Sequence, residues 1–128
     1  MKIIESFAVG LVILTIAGTA AAIAGYEGVL ESQRECITIR MRTYEHGNPT
    51  PDVIHLKRGE PACLRLTSLD TTHGFNIPDL NLYADPIHPG KWTEVRFTPQ
   101  ESGTYSFVCT IVCSPMHSRV RGKIIVDE

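Results

Sequence analysis

The chain has no excess of charge of either sign. Twelve Lys and Arg stand against 14 Asp and Glu in 128 residues, a formal net charge of −2. There is no basic stripe to neutralise a phosphate backbone, which excludes nucleic acid as the partner. Internal repeats and low-complexity tracts are absent, so solenoids and disordered linkers are excluded too. Beyond residue 30 no segment carries a helical apolar period, which rules out a helix bundle for most of the chain. No nucleophile–base pairing and no substrate-pocket motif occurs, so no catalytic residue is assigned.

One long hydrophobic run is present. From Ser6 to Tyr26 no side chain is charged, enough to cross about 30 Å of hydrocarbon as a helix. A cleaved signal peptide is the competing reading, since Ala22-Ile23-Ala24 resembles a small-residue cleavage site. Against cleavage, Lys2 is the sole basic residue ahead of the run, Glu5 offsets it, and the run exceeds an ordinary signal core. The expectation is a retained, single-pass membrane anchor over residues 1–30 and an exported domain over 31–128. With the Lys2 end held inside, the domain lies on the outer face.

The exported part alternates apolar and polar residues in short runs. These are "ITIRMRT" (37–43), "DVIHL" (52–56), "ACLRLTS" (62–68), "WTEVRFTP" (92–99), "GTYSFVC" (103–109) and "GKIIVDE" (122–128), with "HGFNIP" (73–78) as a short strand. Turn clusters such as "HGNPTP" and "PQESG" separate them. "PDLNLYADPIHPGK" (78–91), with three prolines, reads as a long loop. The fold class is all-β, an antiparallel sandwich.

Four cysteines need an account outside the cytoplasm, where two disulfides are the default. Cys36 and Cys63 follow no spacing rule, and a bond between them stays open. Cys109 and Cys113 differ, because "CTIVCSPMH" (109–117) spaces two thiols and His117 at intervals of four, on a loop after a strand. Pro115 argues against a regular helix there. Three chemistries fit: a disulfide across the short loop, a Cys₂His₂ zinc site, of whose usual spacing only the cysteine half is matched, and copper, which takes thiolate and imidazole together. His73, in "SLDTTHGFNIP", sits where a strand end can meet the same loop. His46, His55 and His88 have no partner cysteine and read as surface residues.

"LTSLDTTHGFNIP" followed by "PGKWTEVRFTPQESGTYSFVCTIVCSPMHSRVRGKIIVDE" resembles the CuA domain of cytochrome c oxidase subunit II, and most of all the short single-helix subunit of B-family heme-copper oxidases. The likeness covers about residues 52–128. It rests on D-x-x-H-x-F and C-x-x-x-C-x-x-x-H occurring in that order. The resemblance implies a cupredoxin sandwich holding a binuclear copper centre. Cys109 and Cys113 would be the bridging thiolates, His73 and His117 the terminal imidazoles, and Ile111 a backbone-carbonyl ligand. Asp70 would orient the His73 loop. Where the family has a weak methionine ligand this chain has Val120, and Met116 is the nearest thioether; the implied consequence is an altered potential.

By the same resemblance the chain is a non-catalytic electron-transfer subunit of a cytochrome c oxidase or related nitric oxide reductase. It would take electrons from a cytochrome c or small copper protein and pass them to the heme of the catalytic subunit. Arg119 and Arg121 are candidates for facing that subunit, or else solvated loop charges. The family's donor-side aromatic cluster is missing; Tyr44 is the sole aromatic in that region and Trp92 lies elsewhere. Two alternatives stay open: a free-standing anchored cupredoxin that carries copper or shuttles electrons, and a structural descendant with a disulfide or zinc in place of copper.

Overall fold

The computed structural model describes residues 2–32 and 35–128. The chain divides into two units, Met1–Arg34 and Glu35–Glu128. The first holds one helix, α1 (Lys2–Ser32), whose segment Ile4–Val29 is long and apolar enough to cross a membrane. Its large side chains, among them Phe7, Leu14 and Ile23, are exposed. The hydroxyl of Thr19 donates to the Thr15 and Ile16 carbonyls, and that of Thr15 to Val12 O. Both hydroxyls thereby have a backbone acceptor within the helix.

The second unit is a two-sheet sandwich. β1 (Ile37–Met41), β3 (Ala62–Ser68) and β6 (Thr93–Phe97) form one sheet in the order β1-β3-β6. β2 (Val53–Lys57), β4 (Asn76–Ile77), β5 (Leu82–Tyr83), β7 (Gly103–Val108) and β8 (Arg121–Asp127) form the other, in the order β2-β8-β7-β4-β5. Period-two alternation turns one face of each strand inward. Ile39, Met41, Leu64 and Leu66 from the first sheet are buried against Ile54, Ile77, Phe107, Ile124 and Val126 from the second. Each such side chain contributes about 1.5–3 kcal/mol by leaving water. Phe75 and Phe107 meet at 5.1 Å between ring centroids, tilted by 31°. Within β8, Gly122 is required for packing: a Cβ there would lie 2.1 Å from Phe107 Cζ and 2.5 Å from Asp52 O.

The sandwich stands as expected, but its sheets are mixed rather than wholly antiparallel. β1 runs parallel to β3, and β2 runs parallel to β8. The cause is the connectivity: the chain leaves β1, crosses to the other sheet for β2, and returns as β3. Parallel neighbours need such a crossover. The parallel register sets Ile37 beside Leu64, and the residues just before them, Cys36 and Cys63, form a disulfide with 4.6 Å between Cα atoms.

The segment 78–91 is also more structured than a loop. It contains a 3₁₀ turn (Pro78–Leu80) and β5, and Ile87 forms an antiparallel bridge with His73. Ile87 is fully buried, so this segment seals the strand end that bears His73.

Candidate metal centre

Every expected site residue lies on a connection at the end of the β4–β7–β8 part of the sandwich. Cys109 directly follows β7, and its N–H donates to Val120 O at 3.0 Å just before β8. That bond closes the base of the 110–119 loop. A 3₁₀ turn, His117–Arg119, ends the loop, with the Val120 N–H donating to His117 O at 3.0 Å. His73 sits between β3 and β4, held by its two-way backbone bridge to Ile87 at 3.0 and 2.8 Å.

Three of the expected ligands converge. The ligand atoms of His73, Cys109 and Cys113 all lie within 4.8 Å of one another. His73 Nδ1 is 3.8 Å from Cys109 Sγ, and the two sulfurs are 3.7 Å apart. Both thiols are free, so the disulfide alternative is not the one adopted. The Ile111 carbonyl lies 3.1 Å from Cys109 Sγ. His117 falls outside the three-residue cluster, yet its Nδ1 is buried with no hydrogen-bond partner. A buried, unpartnered imidazole nitrogen costs free energy unless something accepts its lone pair or its proton.

Asp70 organises the His73 side. Its Oδ1 lies 2.7 Å from His73 Nε2 and accepts from the Thr71 N–H at 2.7 Å; its Oδ2 accepts from the Thr43 N–H at 2.8 Å and lies 3.0 Å from His46 Nδ1. Burial pushes the Asp70 carboxyl upward, but the donors from Thr43, His73, His46 and Thr71 outweigh it and hold the group well below the ordinary carboxylate range. An ionised Asp70 accepting at Nε2 fixes the tautomer that leaves Nδ1 toward the sulfurs. His73 itself is fully buried. Burial disfavours its charged form, and the neighbouring Cys109 and Asp70 reverse that, so its affinity for protons is raised.

The two thiols differ. Burial raises Cys109, but hydrogen bonds from His73 and the Gly74 backbone bring it below an ordinary thiol. Burial raises Cys113 as well, and the Cys109 sulfur beside it adds to this, to about 11. One thiolate is accommodated and opposes a second. Cys109 and Cys113 would both bind a soft metal ion as thiolates, with release of their protons. Two thiols, an imidazole with its tautomer set, a buried unpartnered imidazole nitrogen and an inward carbonyl make a soft, nitrogen–sulfur donor set, which fits copper.

Val120 is fully buried within the core and supplies no lone pair. Met116 is half-buried and serves the turn through its backbone, its N–H donating to Ser114 Oγ at 3.2 Å and its carbonyl accepting from the Arg119 N–H at 2.9 Å. The Arg119 guanidinium lies over the ring of Tyr44, in the Tyr44–His46 turn, at 5.3 Å, and Arg121 donates to Ser118 O at 3.1 Å.

His46 was expected only as a surface residue. It is exposed and lies outside the cluster, yet it pairs with Asp70. His55 pairs with Asp127, and His88 Nδ1 lies 3.2 Å from the Thr72 hydroxyl. Nothing in the spacing of His46 and Asp70 signals their contact, because it depends on how the 43–47 turn folds over the β3 end. Gly74 carries a further role without a motif: a Cβ there would lie 1.9 Å from Thr110 Oγ1.

The chain resembles known proteins in sequence and in fold. A cytochrome c oxidase subunit 2 of Thermus thermophilus is 31% identical over 78 residues, 61% of this chain and 57% of that protein. The chain thus spans a little over half of that relative. A chain in the cryo-electron-microscopy structure of a heme-copper terminal oxidase dimer is 19% identical, with TM-score 0.62 over 96% of this chain and 99% of that one, and shows a shared fold. The metal-binding domain of the Cu(I)-exporting P-type ATPase of Streptococcus pneumoniae D39, solved with Cu(I), is 25% identical with TM-score 0.57 over 72% of this chain and 84% of that one. The resemblance to oxidase subunit 2 carried by the two motifs is borne out by the first of these. The cupredoxin-like domain model matches residues 6–126, and the chain belongs to that family.

Proposed function

We propose that this chain is the copper-binding electron-transfer subunit of a heme-copper oxidase, anchored by α1 with its sandwich on the outer face. The observation that carries the reading is the meeting of two free thiols 3.7 Å apart with the buried His73, Cys109 buried and Cys113 half-buried. His73, Cys109, Cys113 and His117 would hold two copper ions, with the Ile111 carbonyl beside them. A pair of coppers sharing two thiolates supplies a delocalised one-electron redox couple. The protein's part is to keep the ligands still: Asp70 orients His73, Val120 O anchors Cys109, and the sandwich excludes water from the inner side. Ligands that hardly move between redox states keep the reorganisation small, which favours fast transfer.

In this reading a cytochrome c or a small copper protein is the donor, and the heme of the catalytic membrane subunit is the acceptor. The test has two arms. The full chain, affinity-tagged in its native membrane, is expected to co-purify with a heme-bearing subunit. Removal of copper with a chelator should abolish heme reduction by reduced cytochrome c in that complex. A chain that purifies alone and hands Cu(I) to an acceptor would instead support an anchored copper carrier, the reading favoured by the likeness to the Cu(I)-exporter domain.

A further inference from the structure

We propose that Asp85 is a positioning residue whose carboxylate clips the His73 segment to the Cys109 segment and so fixes the separation of these two ligands. The inference rests on the reading of His73 and Cys109 as ligands. It adds a residue that neither motif contains.

The backbone ladder between β4 and β7 has one paired position, Asn76 with Val108. Continued toward the ligands, the same register sets Phe75 opposite Cys109 and Gly74 opposite Thr110, but the strands no longer pair there. The ladder therefore stops one residue short of Cys109. Asp85 takes over at that point. Its Oδ1 accepts from the Phe75 N–H at 2.5 Å, and its Oδ2 accepts from the Thr110 hydroxyl at 2.5 Å. One carboxylate thus joins a residue two beyond His73 to the residue next to Cys109.

Asp85 is brought there by the proline-rich segment 78–91. Ala84 N–H donates to Phe75 O at 2.8 Å and Ile87 N–H to His73 O at 2.8 Å, so residues 84–87 run alongside 73–75. Gly74 makes room for the clip. A Cβ at that position would lie 1.9 Å from Thr110 Oγ1, 2.8 Å from Asp85 Oδ1 and 2.9 Å from Thr110 N. The hydroxyl and the carboxylate occupy the space a side chain at 74 would need.

Asp85 and Thr110 are both exposed residues, so losing their contact leaves the hydrophobic core intact. What it releases is the spacing of the ligand segments. Both carboxylate bonds fall within two residues of a ligand, Phe75 near His73 and Thr110 beside Cys109. A residue that acts on ligand spacing must change what the metal reports, beyond what it does to melting.

The experiment uses the full chain in detergent micelles, with Asp85→Ala, Asp85→Asn and Thr110→Val, and Asp79→Ala as a control that removes another exposed carboxylate. Amide hydrogen exchange at Phe75 in the metal-free protein is expected to quicken about tenfold in Asp85→Ala, the loss of one charge-assisted bond. Asp85→Asn keeps one acceptor and should restore most of that protection. After loading with Cu(II) and reduction, Asp85→Ala is expected to release Cu(I) to a chelator about tenfold faster than the wild type. Its oxidised optical and EPR spectra should shift, with Asp85→Asn and Thr110→Val in between and Asp79→Ala unmoved. A wild-type spectrum and release rate in Asp85→Ala would overturn the proposal, even if that variant melts lower. Should Asp85→Ala fail to fold, Asp85→Asn and Thr110→Val decide by the same readouts. If the wild type takes up no copper, the proposed function falls, and Phe75 exchange alone decides the clip: faster supports it and unchanged overturns it.

Discussion

Replacing Asp70 by alanine isolates the carboxylate that meets His73 Nε2 at 2.7 Å. Asp70 is 14% exposed at its side chain and serves Thr43, His46, Thr71 and His73. Thr43 and His73 are themselves buried. The substitution leaves the Thr43 N–H and His73 Nε2 without their acceptor, at about 1–3 kcal/mol each. Water entering the partly open site recovers some of this, so a loss of about 2–4 kcal/mol at pH 7 is expected. For a domain of this size that lowers the midpoint of thermal unfolding by roughly 10–25 °C.

The pH dependence carries a second signature. The folded-state pKa of Asp70 lies below its unfolded value, so at acid pH the unfolded chain binds more protons. The stabilisation by Asp70 is complete above the unfolded value of about 4 and is lost as pH falls through the folded one. Metal-free wild type should therefore lose stability from about pH 5 downward, and Asp70→Ala should lose less over the same range. Urea melts at a series of pH values, followed by circular dichroism, measure both effects. A cost under about 0.5 kcal/mol at pH 7, with the acid slope unchanged, would refute the role given to Asp70.

Other perturbations follow from the same geometry. The Cys36–Cys63 disulfide closes a sequence separation of 27, for which the chain-entropy relation gives about 3–4 kcal/mol; Cys36→Ala with Cys63→Ala should lower denaturant stability by that order, and a change below about 1 kcal/mol would count against it. Gly74→Ala sets a methyl against the Thr110 backbone nitrogen and hydroxyl, so a loss of about 1–3 kcal/mol is expected, together with faster copper release. Cys113→Ser removes one of the two sulfurs; the copper-loaded variant should show a single-copper EPR signal, and retention of the wild-type spectrum would remove Cys113 from the site.

The strands were legible because alternation writes itself into the sequence: Ile39 and Met41, Leu64 and Leu66, and Ile124 and Val126 each stand two apart and face inward. Their direction was not, since period two is the same for parallel and antiparallel neighbours. That is why the pairing of β1 with β3, and with it the meeting of Cys36 and Cys63, could not be read. The 109–117 spacing and His73 were visible as motifs. Asp85 and Ile87 were hidden among three prolines, because a single buried residue bridging to His73 leaves no periodic trace. The His46–Asp70 contact likewise depends on a turn closed by Gly47 in the left-handed region at φ 97°.

An EPR spectrum of the full chain after copper loading, with the metal content measured on the same sample, tests the proposed two-copper site of His73, Cys109, Cys113 and His117. Two coppers per chain and one unpaired electron shared equally between them are expected. One copper per chain with an unpaired electron on a single nucleus, or no bound copper, would contradict it.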